Sequence, residues 1–248
     1  MTTFPLETSP ATVRPAFTAT TASMAASLRA EGEVDQLARI LLAAYVDTPE
    51  SEWVISDRDQ RLAVYAAYWP AVLRYGLAHG IVDVAVDEAA VISGTAIWFD
   101  TTIEPADAYE QLLTTTCGAH ADRFRHLHHL LTEHQPDHEP ARAARRLAWI
   151  AVARDRQCQG IGGTLLAHRH TILDTERSAA QLTATTSGAR ALFARHGYRP
   201  TRTPLRLPGK RTFLWSMARE PRSVPEPGDR ARARRQRTAI STDLDPGA

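Results

Sequence analysis

Little in this chain points to cross-linking, to metals or to membranes. Its two cysteines, Cys117 and Cys158, provide no disulfide framework, and their spacing suits neither a metal pair nor a redox pair, so both are expected to be free thiols. No apolar run approaches the roughly 18 residues that a membrane span requires. No basic segment followed by an apolar one opens the chain, and a cytoplasmic protein is expected. Lysine is almost missing: Lys210 stands alone beside the arginines, which together with the abundant alanine reads as coding bias. A net charge of +1 argues against a general nucleic-acid-binding surface. Two phosphate loops are excluded as well. GxGxxG would need glycine where Leu165 stands, and no glycine is followed by Lys and then Ser or Thr as a nucleoside-triphosphate loop requires.

What is present reads as a soluble globular protein, 44% apolar and 23% charged. Residues 1–10, rich in Thr, Ser and Pro, are expected to be a loose tail, residues 11–220 one domain, and residues 221–248 an Arg- and Pro-rich disordered tail. Within the domain, Thr12 to Ala16 suggests a short edge strand. Glu33 to Tyr45 and Asp57 to Leu77 carry apolar residues at helical spacing, the first ended by Asp47, Thr48 and Pro49, the second kinked or split at Pro70. Ile81 to Val86 and Ala90 to Phe99 form a hairpin across Asp87 and Glu88. Pro105 to His134 is helical and divided at Gly118, and a linker from Gln135 holds the basic cluster Arg142, Arg145 and Arg146, expected to be solvated. After it come a strand, a helix, the strand Gln181 to Thr186, a short helix capped by Ser187 and stopped by Gly197, and final strands around Tyr198 and Thr212 to Met217, joined by a turn at Pro208 and Gly209. This order predicts an α/β fold with a mixed, mostly antiparallel central sheet, flanking helices and one parallel crossover.

The chemistry gathers at that crossover. Leu147 to Val152 is an apolar run of strand length, and helical spacing resumes at Ile161, Leu165 and Leu166. Between them Gln157, Cys158, Gln159, Gly160, Ile161 and Gly162 have the form QxxGxG. Glycines at a helix start admit a ligand to the backbone, and the free N–H groups of the first turn favour an anionic phosphate.

This motif resembles the acyl-CoA pyrophosphate loop of the GNAT N-acetyltransferases. The likeness extends to the block QLTATTSGARALFARHGYRP, with Arg195, His196, Gly197 and Tyr198 closing a helix, and to the aromatic strand TFLWSMAR. Within the superfamily the chain is most similar to puromycin N-acetyltransferase and its actinobacterial relatives, at Tyr45 to Pro49 with Trp53, at Ala96 to Trp98, and at His134 to Pro140. The resemblance implies acetyl transfer from acetyl-CoA to the amine of a small molecule, in antibiotic resistance or secondary metabolism. It implies that pantetheine pairs with backbone left open near Ile150, Ala151 and Val152. It further implies that Gln157 to Gly163 hold the pyrophosphate, Cys158 and Gln159 by main chain, that Val152 N–H faces the thioester oxygen, and that Ala189 and Phe193 lie beside the cofactor.

Proton handling departs from the family. Phe193 stands where many members have the tyrosine that protonates the departing thiolate, and Ala189 stands where an asparagine is frequent. Ser187, His196 and Tyr198 are the substitute donors, and Asp47 and Glu52, in the loop between the first helices, with His126, His129 and His134 approaching from the long helix, are the candidate bases. Trp53, Tyr65, Trp69 and Trp98 are candidates for an aromatic wall, each also suited to core packing. The histidines from His120 to His138 include His126 and His129 on one helical face, but no HExxH pattern, and no metal is expected. The alternative function is a catalytically weak or silent acyl-CoA-binding module whose tail arginines Arg230, Arg232, Arg234, Arg235 and Arg237 meet an acidic partner.

Overall fold

A computed structural model of the chain describes residues 17–22, 31–101, 106–133, 144–209 and 211–223. In chain order the strands are β1 (Phe17–Ala22), β2 (Ile81–Asp87), β3 (Ile92–Asp100), β4 (Ala144–Val152), β5 (Ala179–Ala184), β6 (Arg199–Pro200), β7 (Leu205–Arg206) and β8 (Phe213–Arg219). The α-helices are α1 (Glu31–Tyr45), α2 (Pro49–Val54), α3 (Arg58–His79), α4 (Ala106–Cys117), α5 (Ala121–Glu133), α6 (Ile161–Thr175) and α7 (Ser187–Arg195). The sheet runs β1-β2-β3-β4-β5-β8-β6 with β7 also on β8, and among these pairs only β4 with β5 is parallel. The expected mixed, mostly antiparallel sheet with flanking helices is what the chain adopts.

Each face of the sheet carries a core. On one, α1, α3, α4 and α5 bury Leu41, Tyr65, Tyr68, Trp69, Leu73, Leu113 and Phe124 against Ile97, Phe99 and Ala151. On the other, α6 and α7 bury Ile161, Leu165, Leu166 and Phe193 against Ala96, Trp98 and Leu182. A buried ion pair ties this second layer down: Arg169 on α6 donates through Nε to Asp83 Oδ2 on β2 at 3.0 Å and through Nη2 to Oδ1.

Several expectations are corrected. Pro70 does not split α3, which is continuous; the carbonyl that Pro70 cannot serve belongs to Ala66, an exposed residue whose oxygen water can satisfy. The chain after Asp47 is not a loop but α2, with Pro49 in its first turn and Thr48 as N-cap accepting from Ser51 N. Arg145 and Arg146 are not a solvated cluster. Both belong to β4, where Arg145 pairs with Asp100 and Arg146 is buried with its guanidinium 5.7 Å from the Phe99 ring. The N-cap of α7 is Thr186, accepting from Ala189 N, while Ser187 is the first helical residue. The strand expected at Thr12 to Ala16, Arg142, and the tail arginines lie outside the described residues, whereas β1 begins at Phe17.

His170 on α6 is buried, and its Nε2 lies 3.0 Å from Tyr198 Oη. Burial, aided by the charges of Arg219 and His196, lowers its pKa from 6.5 to about 3. The folded chain therefore refuses a proton that the unfolded chain accepts. Stability is complete above pH 6.5 and falls as pH drops toward 3, at up to about 1.4 kcal/mol per unit. Urea midpoints should drift down across this window, and His170→Gln should flatten the slope; equal slopes in both proteins would assign it to other groups.

Candidate active site

The site starts from an irregularity in β4. Against β3, Ile97 pairs with Trp149 but Trp98 with Leu147, so Ala148 is an extra residue and the strand bulges there. A bulge bends its strand and sharpens its twist. On its other side β4 pairs with β5 only from Ala144↔Ala179 to Leu147↔Leu182, although β4 runs on to Val152. The two central strands thus part at the bulge, and an edge opens in mid-sheet, where backbone polar groups must find other partners. At Ile150 the partner is a side chain. Tyr45, the last residue of α1, accepts from Ile150 N at 3.2 Å and donates to Ile150 O at 3.1 Å through one hydroxyl. Desolvation, opposed by this bond and reinforced by the charge of Glu50, raises the Tyr45 pKa well above the ordinary phenol value.

Beyond Val152 the chain turns through residues 153–160 into α6. Gln157 Nε2 ties the turn back to Val152 O at 3.3 Å. Gly160 is the N-cap at φ +88°, a left-handed conformation that side chains resist, and Cys158 at φ +61° shares it. The bond from Thr164 N to Gly160 O at 3.0 Å begins the ladder, leaving the amides of Ile161, Gly162 and Gly163 as the unserved first turn. Gly162 and Gly163 also let α6 approach α7: a Cβ would come to 3.4 Å from Leu192 Cδ2 in the first case and 3.0 Å from His196 Nε2 in the second.

Two hollows meet at the parted strands. One lies between β4 and β5 and includes Tyr45, Thr48, Glu50, Ile150, Ala189 and Phe193 in its walls. The other, about 840 Å³ with its open mouth included, runs into the helical layer between Tyr65, Tyr68, Trp69, Tyr109, Phe124 and Trp149. Tyr45, Glu50 and Thr185 belong to both.

Glu50 is the residue that the sequence reading missed. It is 5% exposed, its Oε1 accepts from Thr185 Oγ1 at 2.8 Å, and its Oε2 has no partner among the described residues. Burial raises its pKa, while its backbone, Thr185 and Thr48 hydrogen bonds pull the other way. Buried Arg61 fixes the helix that carries it. Arg61 donates to Val46 O before α2 and to Ile55 O at 2.6 Å after it. Tyr65 Oη to Ser51 Oγ at 2.7 Å adds a third tie.

The expected residues fall in different places. Asp47 and Glu52 line neither of these hollows. Asp47 is ion-paired with Arg58 at 2.9 Å and Arg154 at 3.5 Å, and the Arg58 hydrogen bond holds its pKa below the usual range. Glu52 is exposed, beside Trp53, at a separate surface hollow. Ser187 is exposed at the start of α7. Tyr198 is buried against His170, and His196 packs beside Gly163 with its pKa lowered, mainly by burial. Of the four candidate wall residues, Tyr65 and Trp69 line the aromatic hollow. Trp98 is in the opposite core, and Trp53 holds Arg123 at 4.6 Å and His126 at 5.2 Å. His126 and His129 are exposed, His128 instead lines the hollow, and His134 lies outside the described residues. Among the described residues no group of three or more His, Cys, Asp or Glu is placed to hold a metal.

No protein-family model matches the chain, and no curated protein matches it significantly in sequence. Solved structures do resemble it. A structure described as histone acetyltransferase HPA2 and related acetyltransferase from Corynebacterium glutamicum is 20% identical, with TM-score 0.59 over 84% of this chain and 98% of that one. A mosquito arylalkylamine N-acetyltransferase like 5b is 15% identical, with TM-score 0.52 over 83% and 100%. The C-terminal condensation domain of Ebony, solved with beta-alanyl-dopamine, is 13% identical, with TM-score 0.51 over 83% and 99%. At these identities the likeness is one of fold: the chain has the acyl-CoA N-acyltransferase fold of the GNAT superfamily.

Proposed function

We propose that this protein is an acetyl-CoA-dependent N-acetyltransferase acting on a small-molecule amine. The observation that carries the reading is the end of β4–β5 pairing at Leu147 while β4 continues beside a glycine turn. The resulting slot offers strand edge to a pantetheine arm, and the amides of Ile161 to Gly163 lie at its end for a diphosphate. Acetyl-CoA, when bound, supplies an acyl group on a thiol leaving group. Glu50 takes the proton of the acceptor ammonium, Thr185 orients the carboxylate, and the aromatic walls keep water from the reacting amine. The amine nitrogen would bond to the acetyl carbon as that carbon's bond to sulfur breaks, and of the two protons the nitrogen sheds one would go to Glu50 and the other to the departing thiolate. An antibiotic or secondary-metabolite acceptor is the setting that the sequence resemblance favours.

A second reading, acyl-CoA binding without turnover, is favoured by Phe193, which lines the slot and has no proton to donate. Thiol release measured over an amine panel separates the two. The loop is tested by Gly160→Glu, which sets a carboxylate at the left-handed N-cap. CoA affinity should fall about a hundredfold or more, from charge repulsion and strain together. Unchanged affinity in a variant that keeps its circular dichroism would remove the turn from the cofactor site.

A further inference from the structure

We infer that the acceptor is a ring-bearing alkylammonium carrying a single positive charge, an inference that rests on the reading just given. Three features of the hollow carry it. First, the Glu50 carboxylate is buried with Oε2 unpartnered at the mouth shared with the slot. A lone buried carboxylate is costly unless a cation meets it. A primary ammonium does so while placing its nitrogen at the strand opening. Second, the walls beyond that point are rings. Tyr45 stands 5.1 Å from Trp69 between ring centroids, Trp69 stands 6.0 Å from Trp149, and Tyr65 stands 5.7 Å from Phe124. Such a lining takes an aromatic ring edge-to-face or offset, and its faces attract a cation on the way in. Trp69 Nε1, buried and without a partner among the described residues, adds a donor for a hydroxyl or carbonyl on the ligand.

Third, the charge in the hollow's wall suits one cation and not a second. Arg146 lines the same hollow, its guanidinium 5.7 Å from the Phe99 ring. A second positive charge on the acceptor would meet it rather than Glu50. Polyamines and aminoglycosides are therefore disfavoured, and an ammonium attached to an aromatic ring by a short alkyl arm is the fitting class.

The probes are 2-phenylethylamine, its saturated analogue 2-cyclohexylethylamine, spermidine and the neutral 2-phenylethanol. Binding is followed by tryptophan fluorescence, since Trp69 and Trp149 line the hollow, and turnover by thiol release. The aromatic amine should bind saturably and exceed the cyclohexyl amine and spermidine in kcat/KM by about tenfold or more. In Glu50→Gln its affinity should drop to about that of 2-phenylethanol, which the substitution leaves unchanged. Failure of 2-phenylethylamine to saturate, or spermidine or the cyclohexyl amine matching it, overturns the acceptor class. A CoA titration of the same sample separates the failures: CoA binding that survives leaves the acyltransferase reading in place, and its loss removes both.

Discussion

Replacing Glu50 with Gln is expected to lower kcat/KM for the amine by about two to four orders of magnitude and at the same time to stabilise the protein. The first effect is the loss of a positioned general base. The second follows from the direction of the pKa shift. Burial raises the Glu50 pKa in the fold above its unfolded value, so the fold binds this proton more tightly. Whatever stability that proton provides is complete below the unfolded pKa and is lost as pH rises through the folded one. At neutral pH the carboxylate therefore burdens the fold, and Gln, which keeps the shape and the reach to Thr185, removes the charge. Wild-type rates should fall as pH drops through the raised pKa, and the variant's profile should be flat there. A Glu50→Gln protein with near-normal kcat/KM would remove Glu50 from the chemistry, and a lower melting temperature at neutral pH would show that its carboxylate does not burden the fold.

Asp83→Ala is expected to cost about 3–5 kcal/mol of stability, because it strands the buried Arg169 guanidinium without its carboxylate. Small domains hold only about 5–15 kcal/mol in all, so the variant should sit close to unfolding at room temperature. The cost belongs to the broken pair rather than to a lost attraction. Asp83→Leu combined with Arg169→Met should recover most of it, since apolar replacements of similar volume remove both desolvation penalties. His168, 3.7 Å from Asp83 through Nε2, is a further neighbour of that carboxylate. Urea denaturation of the single and double variants measures the difference. A single variant within about 1 kcal/mol of wild type would show that the pair is solvated or locally rearranged.

The strand, turn and helix from Leu147 to Gly163 were legible in the sequence because apolar spacing changes period across a pair of glycines. What made the strand useful was not. Nothing at Ala148 marks a bulge, since it has neither Gly nor Pro, and the extra residue arises from how β3 and β4 register against each other. Arg145 and Arg146 hid the first residues of that strand by looking solvated. Their long stems lie along buried surface while their guanidinium groups find a carboxylate and a ring face.

The site carboxylate was close to legible. Thr48, Pro49 and Glu50 are a helix start, N-cap then Pro, and from that start Glu50 and Val54 share one face while Glu52 turns to the other. Reading the segment as a loop removed that phase information and left Asp47 and Glu52 as the visible acids. Tyr198 is one of three substitute proton donors that the sequence offers without preference, and tertiary packing turns it toward His170. The hydroxyl that does reach the strand edge, on Tyr45, comes from the far end of α1, 105 residues from Ile150 in sequence.

A structure of the protein crystallised with CoA tests the central claim most directly. With the cofactor bound, the pantetheine arm should lie along β4 beyond Leu147, the Tyr45 hydroxyl should have left Ile150, and the diphosphate should rest on the amides of Ile161 to Gly163. CoA bound elsewhere, with both Tyr45 bonds to Ile150 intact and the slot between β4 and β5 unfilled, would contradict it.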